Sequence, residues 1–135
     1  MVVRLRRTRR TFSTNPRQSL TNRCGELAGH FEWVCTQYQV RDVHIEIPAY
    51  AGSYTGGKER FKGVAKLLMA TGAITGGCSI GGSDVHTIRA SGAPKEQEHA
   101  ILASVMGKNL PKGPRGGKLE DQWDAIWLGL RVISS

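Results

Sequence analysis

Two aspartates near the carboxyl end of the chain, Asp121 and Asp124, are of a residue type and spacing that could bind a metal. They lie in LEDQWDAIWLGL, where apolar residues recur at helical spacing, so both belong to neighbouring positions on one helix face. Carboxylate oxygens are the ligands that Mg²⁺ prefers, and paired Mg²⁺ ions stabilise the attacking and leaving oxygens of a phosphodiester. Alternatively, the two acids only stabilise the start of the helix through its dipole.

Glu46 is the third acid that could join such a site. It lies in DVHIEIP, residues 42–48, where β-branched residues alternate with polar ones, and this pattern predicts a half-buried strand that ends at Pro48. A carboxylate at the exit of an apolar strand needs a hydrogen bond, a cation or a metal, although a solvated polar face is the simpler explanation. His44 on the same face either supports Glu46 or is a solvated histidine.

The apolar periodicity predicts the elements that position these acids. We predict strands over residues 2–12 and 42–48, and helices over about 15–38, 58–70, 94–106 and 118–132. The second helix is predicted to bury Phe61, Val64, Leu67 and Leu68 and to be capped by Gly72. Residues 73–82 are predicted to form a weak strand, and Ser83 with Asp84 to begin a short helical turn. This alternation predicts one α/β domain over residues 1–135.

The net charge of +8 is concentrated at the amino terminus. Residues 1–25 hold seven arginines and no acid, which favours a nucleic-acid partner, with a solvated face or an organelle transit peptide as alternatives. No apolar run approaches the roughly 20 residues of a membrane span, and no signal peptide is apparent, so we expect a cytoplasmic protein without membrane contact. The three cysteines are predicted to be apolar fillers.

A second motif competes for the same strand. The stretch from Gly52 to Lys58, GSYTGGK, follows a strand and opens a helix, as the phosphate-binding loop of P-loop nucleotide-binding proteins does. The next residue, however, is Glu59, where that motif needs a hydroxyl for Mg²⁺. Because a carboxylate repels phosphate, nucleotide binding is the more distant alternative.

Three stretches carry a resemblance to a known family: VHIEIPAY, SDVHTIRASGAPKEQEHAIL and LEDQWDAIWLGL. In order and spacing, over about residues 10–133, the sequence resembles the RuvC-like Holliday junction resolvases of the RNase H-like superfamily. The resemblance implies a mixed sheet flanked by helices, a homodimer, and Mg²⁺-dependent nicking of four-way and other branched DNA in recombination, repair or phage DNA processing. Mn²⁺ is an alternative cofactor.

The same resemblance implies roles for individual residues. Glu46 aligns with the second of the family's catalytic acids, and Asp121 and Asp124 align with the last two. Lys95 aligns with a basic residue that lies near the scissile phosphate in the family. His86 stands where the family often has a lysine, and Tyr54 could stack on an unpaired base or pack on its own domain. The residues expected to contact DNA are Lys58, Arg60, Lys62, His86, Arg89 and Tyr54.

One departure from the family concerns its first catalytic Asp. The family carries that Asp on an early strand, whereas here 45 residues precede Glu46 and the first acid is Glu26. We therefore expect an N-terminally shortened RNase H-like fold whose activity is in doubt. The alternatives are a crossover junction endodeoxyribonuclease in which another acid replaces the Asp, and a catalytically inactive RNase H-like DNA-binding protein. Metal dependence and the need for Glu46 distinguish the two.

Overall fold

The chain forms helices and strands in alternation. A computed structural model describes residues 11–47, 57–90 and 92–134, and of residues 57–61 it describes the backbone. In chain order the described elements are α1 (Leu20–Tyr38), β1 (Asp42–Ile47), α2 (Gly57–Ile80), β2 (Asp84–Arg89), α3 (Lys95–Met106), a short 3₁₀ turn (Gly107–Asn109) and α4 (Glu120–Ser134). The predicted α/β class is confirmed, and the strand predicted over residues 2–12 lies largely outside the described residues.

The described elements fall into two compact units. Residues 14–92 form one unit, with α1, β1, α2 and β2, and residues 93–134 form the other together with residues 11–13. The first unit holds Glu46, and the second holds Lys95 and both aspartates of α4. The prediction of a single functional domain over the whole chain stays a prediction.

Helix α1 has a defined start and end. The Ser19 hydroxyl oxygen accepts a hydrogen bond from the backbone N–H of Asn22 at 3.2 Å, which satisfies one of the free donors of the first turn. At the other end Gln39 adopts a left-handed backbone with φ of 50°, and the Val40 N–H donates to the carbonyl oxygen of Cys35 at 3.0 Å. The chain leaves this turn directly into β1.

Helix α2 is longer than the sequence predicts. It continues through Gly72 to Ile80, so the predicted cap at Gly72 and the predicted weak strand over residues 73–82 are both wrong. Two glycines allow a close approach to α1, one in α2 and one directly after its end. An added Cβ at Gly77 would lie 2.9 Å from the Ala28 carbonyl carbon, and one at Gly81 would lie 2.8 Å from the Cβ of Cys35. Glycine fits these two positions because its missing side chain lets the backbones pack together.

The extended α2 also changes two predictions about apolar surface. Its segment Lys62–Ile80, 19 residues with a mean hydropathy of 1.3, is long and apolar enough to cross a membrane by length and composition, and 11% of it is buried. The prediction that no run approaches that length is therefore wrong by this measure, since the small and apolar residues of Lys62–Ile80 form one continuous helical segment. Leu67 and Leu68, predicted to be buried, are 40% and 43% exposed.

Strands β1 and β2 pair in parallel, with Asp42 opposite Asp84 and Glu46 opposite Ile88. The short helical turn predicted to begin at Ser83 and Asp84 is wrong, because the Asp84 N–H instead donates to the Arg41 carbonyl oxygen at 2.8 Å and starts β2. Helix α2 supplies the crossover that parallel pairing requires. The β1–α2–β2 unit therefore fixes which side chains share a sheet face with Glu46.

Two cysteines are buried where α1 meets α2. Cys35 and Cys78 are 2% and 0% exposed, which confirms them as apolar fillers. Burial and the neighbouring Cys35 thiol raise the pKa of Cys78 to about 12. Cys24 is only partly buried. Since the thiolate is the reactive species, Cys78 is chemically inert in the folded protein.

We expect iodoacetamide at neutral pH to modify one thiol of the folded protein, Cys24, while Cys35 and Cys78 react only after unfolding. Mass spectrometry of time points measures this, and protein in concentrated urea, where all three thiols react, is the control. Equal modification rates for the three cysteines of the folded protein would contradict the packing described here.

The second unit has its own small core. Three residues pack together and are at most 5% exposed: Leu102 of α3, Leu110 after the 3₁₀ turn, and Trp123 of α4. Partly buried residues surround them: Met106, Ile126, Trp127 and Leu130. This core fixes α4 against α3, and with it the positions of the α4 aspartates relative to α3.

Candidate active site

Asp121 and Asp124 both lie in the first half of α4, which begins at Glu120. Their separation of three residues places them on neighbouring positions of the helix, as the sequence predicts. Asp121 is exposed, whereas the side chain of Asp124 retains 29% of its accessible surface. The two acids therefore differ in environment, and Asp124 is the one held by neighbouring side chains.

Each carboxylate oxygen of Asp124 has its own partner on α3. The Lys95 ammonium lies 2.8 Å from Oδ2, and Nε2 of His99 lies 2.9 Å from Oδ1. Lys95 and His99 are one helical turn apart, so both reach α4 from the same face of α3. Their exposure differs greatly, because the Lys95 side chain is 60% exposed and that of His99 is 4% exposed.

The buried histidine is held by an aromatic neighbour. The rings of His99 and Trp123 meet edge to face with centroids 5.3 Å apart. Trp123 is fixed in turn, since its Nε1 donates to the backbone oxygen of Pro111 at 2.7 Å and the Lys118 ammonium lies 5.6 Å from its ring centroid. His99 is therefore a rigid partner of Asp124.

The pKa of Asp124 reflects opposing influences. Burial of its carboxyl raises the pKa, but hydrogen bonds from Lys95 and His99, together with their charges, outweigh burial and hold the pKa below the ordinary value. The pKa of Lys95 is raised, chiefly by its hydrogen bond to Asp124, with the charges of Glu120 and Asp121 adding to the effect. Asp124 is therefore an anion and Lys95 a cation at neutral pH.

This shift predicts a loss of stability in acid. Because the pKa of Asp124 is lowered on folding, its contribution is fully present above the ordinary value of 3.8 and is lost as the pH falls through the lower folded value. We expect Asp124→Asn to lower the free energy of unfolding by about 1 kcal/mol at pH 7, the net worth of a partly exposed pair and one hydrogen bond. The difference from wild type should shrink in acid, as urea unfolding at several pH values would measure.

Asp84→Asn is the control for this experiment, because Asp84 is an exposed acid at the start of β2. It should change the free energy of unfolding by less than about 0.5 kcal/mol. A difference between wild type and Asp124→Asn that stays constant down to strongly acidic pH would contradict the lowered pKa.

Glu46 lies in the other unit, on the exposed face of β1. Asp42 and His44 share that face by alternation, and His86 lies beside His44 on β2. Nε2 of His86 is 3.0 Å from Oδ1 of Asp42, and the rings of His44 and His86 stack with centroids 4.9 Å apart. His44 is half-buried and stacks on His86, so it is not simply solvated, and its support of Glu46 stays a prediction.

The predicted site residues are thus distributed over both units. Among the described residues no three His, Cys, Asp or Glu side chains form a group that could hold a metal. Lys62, His86 and Arg89 of the expected DNA-binding set are exposed. Tyr54 lies outside the described residues, as do residues 52–56 of the phosphate-binding motif, while Lys58 and Arg60 are described only as part of the α2 backbone.

His99 is the residue that the sequence analysis missed. Its signal was available, because a histidine four residues after Lys95 on a helix lies on the same face and reaches the same neighbour. What the pattern could not give is its burial. That property depends on Trp123, which approaches from α4.

Comparison with solved structures places the fold. The structure is similar to that of RuvC from Thermus thermophilus, with a TM-score of 0.60 and 16% sequence identity, over 91% of this chain and 75% of that one. No protein-family model and no curated protein matches the sequence. At this level of identity the similarity establishes the fold, and the predicted RuvC-like α/β fold is confirmed.

Proposed function

We propose that this chain is a Mg²⁺-dependent endonuclease that recognises four-way and other branched DNA and cuts it. The observation that carries the proposal is an ionised, positioned carboxylate, Asp124, on a helix of a RuvC-like fold. The substrate class rests on the resemblance of three sequence stretches to RuvC-like resolvases, which the similarity of the fold supports.

The donor set fits Mg²⁺ by its chemistry. Glu46, Asp121 and Asp124 would hold the metal, and all three offer the carboxylate oxygens that Mg²⁺ takes in proteins. When bound, the metal would stabilise charge on the attacking and leaving oxygens of a phosphodiester. The chain's own part is to keep Asp124 ionised and oriented, through Lys95 and His99.

Basic side chains would hold the DNA. We propose that Lys58, Arg60, Lys62 and Arg89 contact phosphates, that His86 and Tyr54 lie along the same DNA, and that Lys95 lies near the scissile phosphate. Such contacts are electrostatic, so binding should weaken steeply with salt. We further propose that two copies of the chain act as a homodimer, since a four-way junction offers two equivalent strands to cut.

A specific observation favours a second candidate, a protein that binds branched DNA without cutting it. Both carboxylate oxygens of Asp124 are already bonded to Lys95 and His99, and the described residues contain no group of three potential ligands. A carboxylate used in this way stabilises the contact between α3 and α4 and needs no metal. The two candidates share their substrate and differ in metal dependence.

A cleavage assay distinguishes the nuclease from the non-cleaving binding protein. The protein is incubated with an end-labelled four-way junction in the presence of Mg²⁺ or of EDTA, and a linear duplex of the same sequence is the control. The proposed nuclease produces paired nicks in the junction only with Mg²⁺. The non-cleaving candidate retards the junction in a gel and leaves it intact under both conditions. Equal affinity for junction and duplex would contradict the proposed substrate class.

A further inference from the structure

The two contacts of Asp124 differ in how readily each can be broken. His99 is 4% exposed and is held by Trp123, so moving it away from Oδ1 would disturb a packed core. Lys95 is 60% exposed and reaches Oδ2 through a flexible side chain, so its ammonium can leave for water. The carboxylate is therefore fixed through one oxygen and exchangeable at the other.

The Lys95 ammonium also lies among acids that would otherwise repel one another. Glu120, Asp121 and Asp124 come within the first two turns of α4, and all three interact favourably with the Lys95 charge. A lysine is a compact positive charge without fixed geometry, which suits it to balance several carboxylates.

We propose that the Lys95 ammonium occupies the position on Asp124 that a divalent cation would take. Metal binding would then displace the ammonium from Oδ2, while His99 remains hydrogen-bonded to Oδ1. This inference rests on the proposed function, because it takes Asp124 to be a metal ligand. It adds a coupling between two steps. The ammonium that leaves Oδ2 becomes available to an anion, which in the proposed reaction is a DNA phosphate.

Competition of this kind has a consequence for affinity. If the ammonium must leave before a cation can bind, then removing the ammonium strengthens cation binding by the free energy of the lost ion pair. Partly exposed ion pairs of this type correspond to a change of about two- to fivefold in an equilibrium constant. Lys95→Met removes the charge and retains an apolar side chain of similar length, so it isolates this effect.

Isothermal titration calorimetry with MnCl₂ measures the affinity of the protein for Mn²⁺, and it tests the inference without a cleavage assay. We expect Lys95→Met to bind Mn²⁺ about two- to fivefold more tightly than wild type. Lys95→Arg, which keeps the charge, should show no gain. Lys108→Met, which removes a charge from the 3₁₀ turn after α3, is the control for net charge and should stay close to wild type. Circular dichroism confirms that each variant is folded.

Asp124→Asn separates this inference from the proposed function. If Asp124→Asn weakens Mn²⁺ binding while Lys95→Met matches wild type, Lys95 does not compete with the metal, but Asp124 is still a metal ligand. If neither substitution changes the affinity, both are wrong. A gain in Lys95→Met that disappears when Asp124→Asn is added establishes the competition at Asp124.

Discussion

Gly77→Ala is expected to lower the free energy of unfolding by about 2–3 kcal/mol, the upper range for overpacking a well-packed contact. The added methyl would overlap the carbonyl group of Ala28, with the carbonyl carbon and Cα both only 2.9 Å away. These are backbone atoms of a helix, so they cannot rotate aside, and α1 and α2 must separate to make room. Urea unfolding followed by far-ultraviolet circular dichroism measures the loss.

Gly76→Ala is the matched control, one residue earlier in the same helix. A Cβ at Gly76 meets no atom within 4 Å, and the same is true at Gly72. Alanine at either position should therefore stabilise the protein by up to about 1 kcal/mol, because it removes the entropic cost of glycine in a helix. Similar effects of Gly76→Ala and Gly77→Ala would show that α1 and α2 do not pack as described.

Glu46→Gln and Asp124→Asn are each expected to reduce the rate of junction cleavage by more than about 100-fold, if the proposed nuclease is correct. Loss of a group that only supports a metal ligand already costs about 10- to 100-fold, and loss of the ligand itself should cost more. Junction binding should persist, because phosphate contacts by basic side chains supply most of the affinity. Single-turnover cleavage and gel retardation of the same samples measure both quantities.

Glu96→Gln is the control for the removal of one acid, since Glu96 is an exposed residue in the first turn of α3. It should leave the cleavage rate within about twofold of wild type. Cleavage by Glu46→Gln at the wild-type rate would show that Glu46 is no metal ligand. Loss of junction binding in Asp124→Asn, together with a change in its circular dichroism, would assign the effect to folding.

The sequence predicted the elements whose own pattern determines them. Helices α1, α3 and α4 and strand β1 all lie where apolar periodicity places them. The spacing of Asp121 and Asp124 on one helix also followed directly from the chain. In each case the information is local, because a residue's face depends only on its distance along the helix or strand.

The predictions that failed depend on contacts between distant residues. Gly77 reduces the helix propensity of α2, and only the approach of Ala28 on α1 shows why a glycine is there. Ser83 resembles a helix cap, yet its hydroxyl donates to the Val40 oxygen at 2.6 Å and helps to place β2 beside β1. The burial of His99 likewise depends on a tryptophan from α4.

The parallel pairing of β1 with β2 has a consequence for how the chain folds. Asp42 pairs with Asp84, so about forty residues, including all of α2, must be made and ordered before the first hydrogen bonds between β1 and β2 can form. Helix α1 can meet α2 earlier, and their contact shortens the remaining search. During synthesis, β1 must therefore wait for β2 before the pairing between these two described strands can form, and a strand that waits for its partner is open to aggregation.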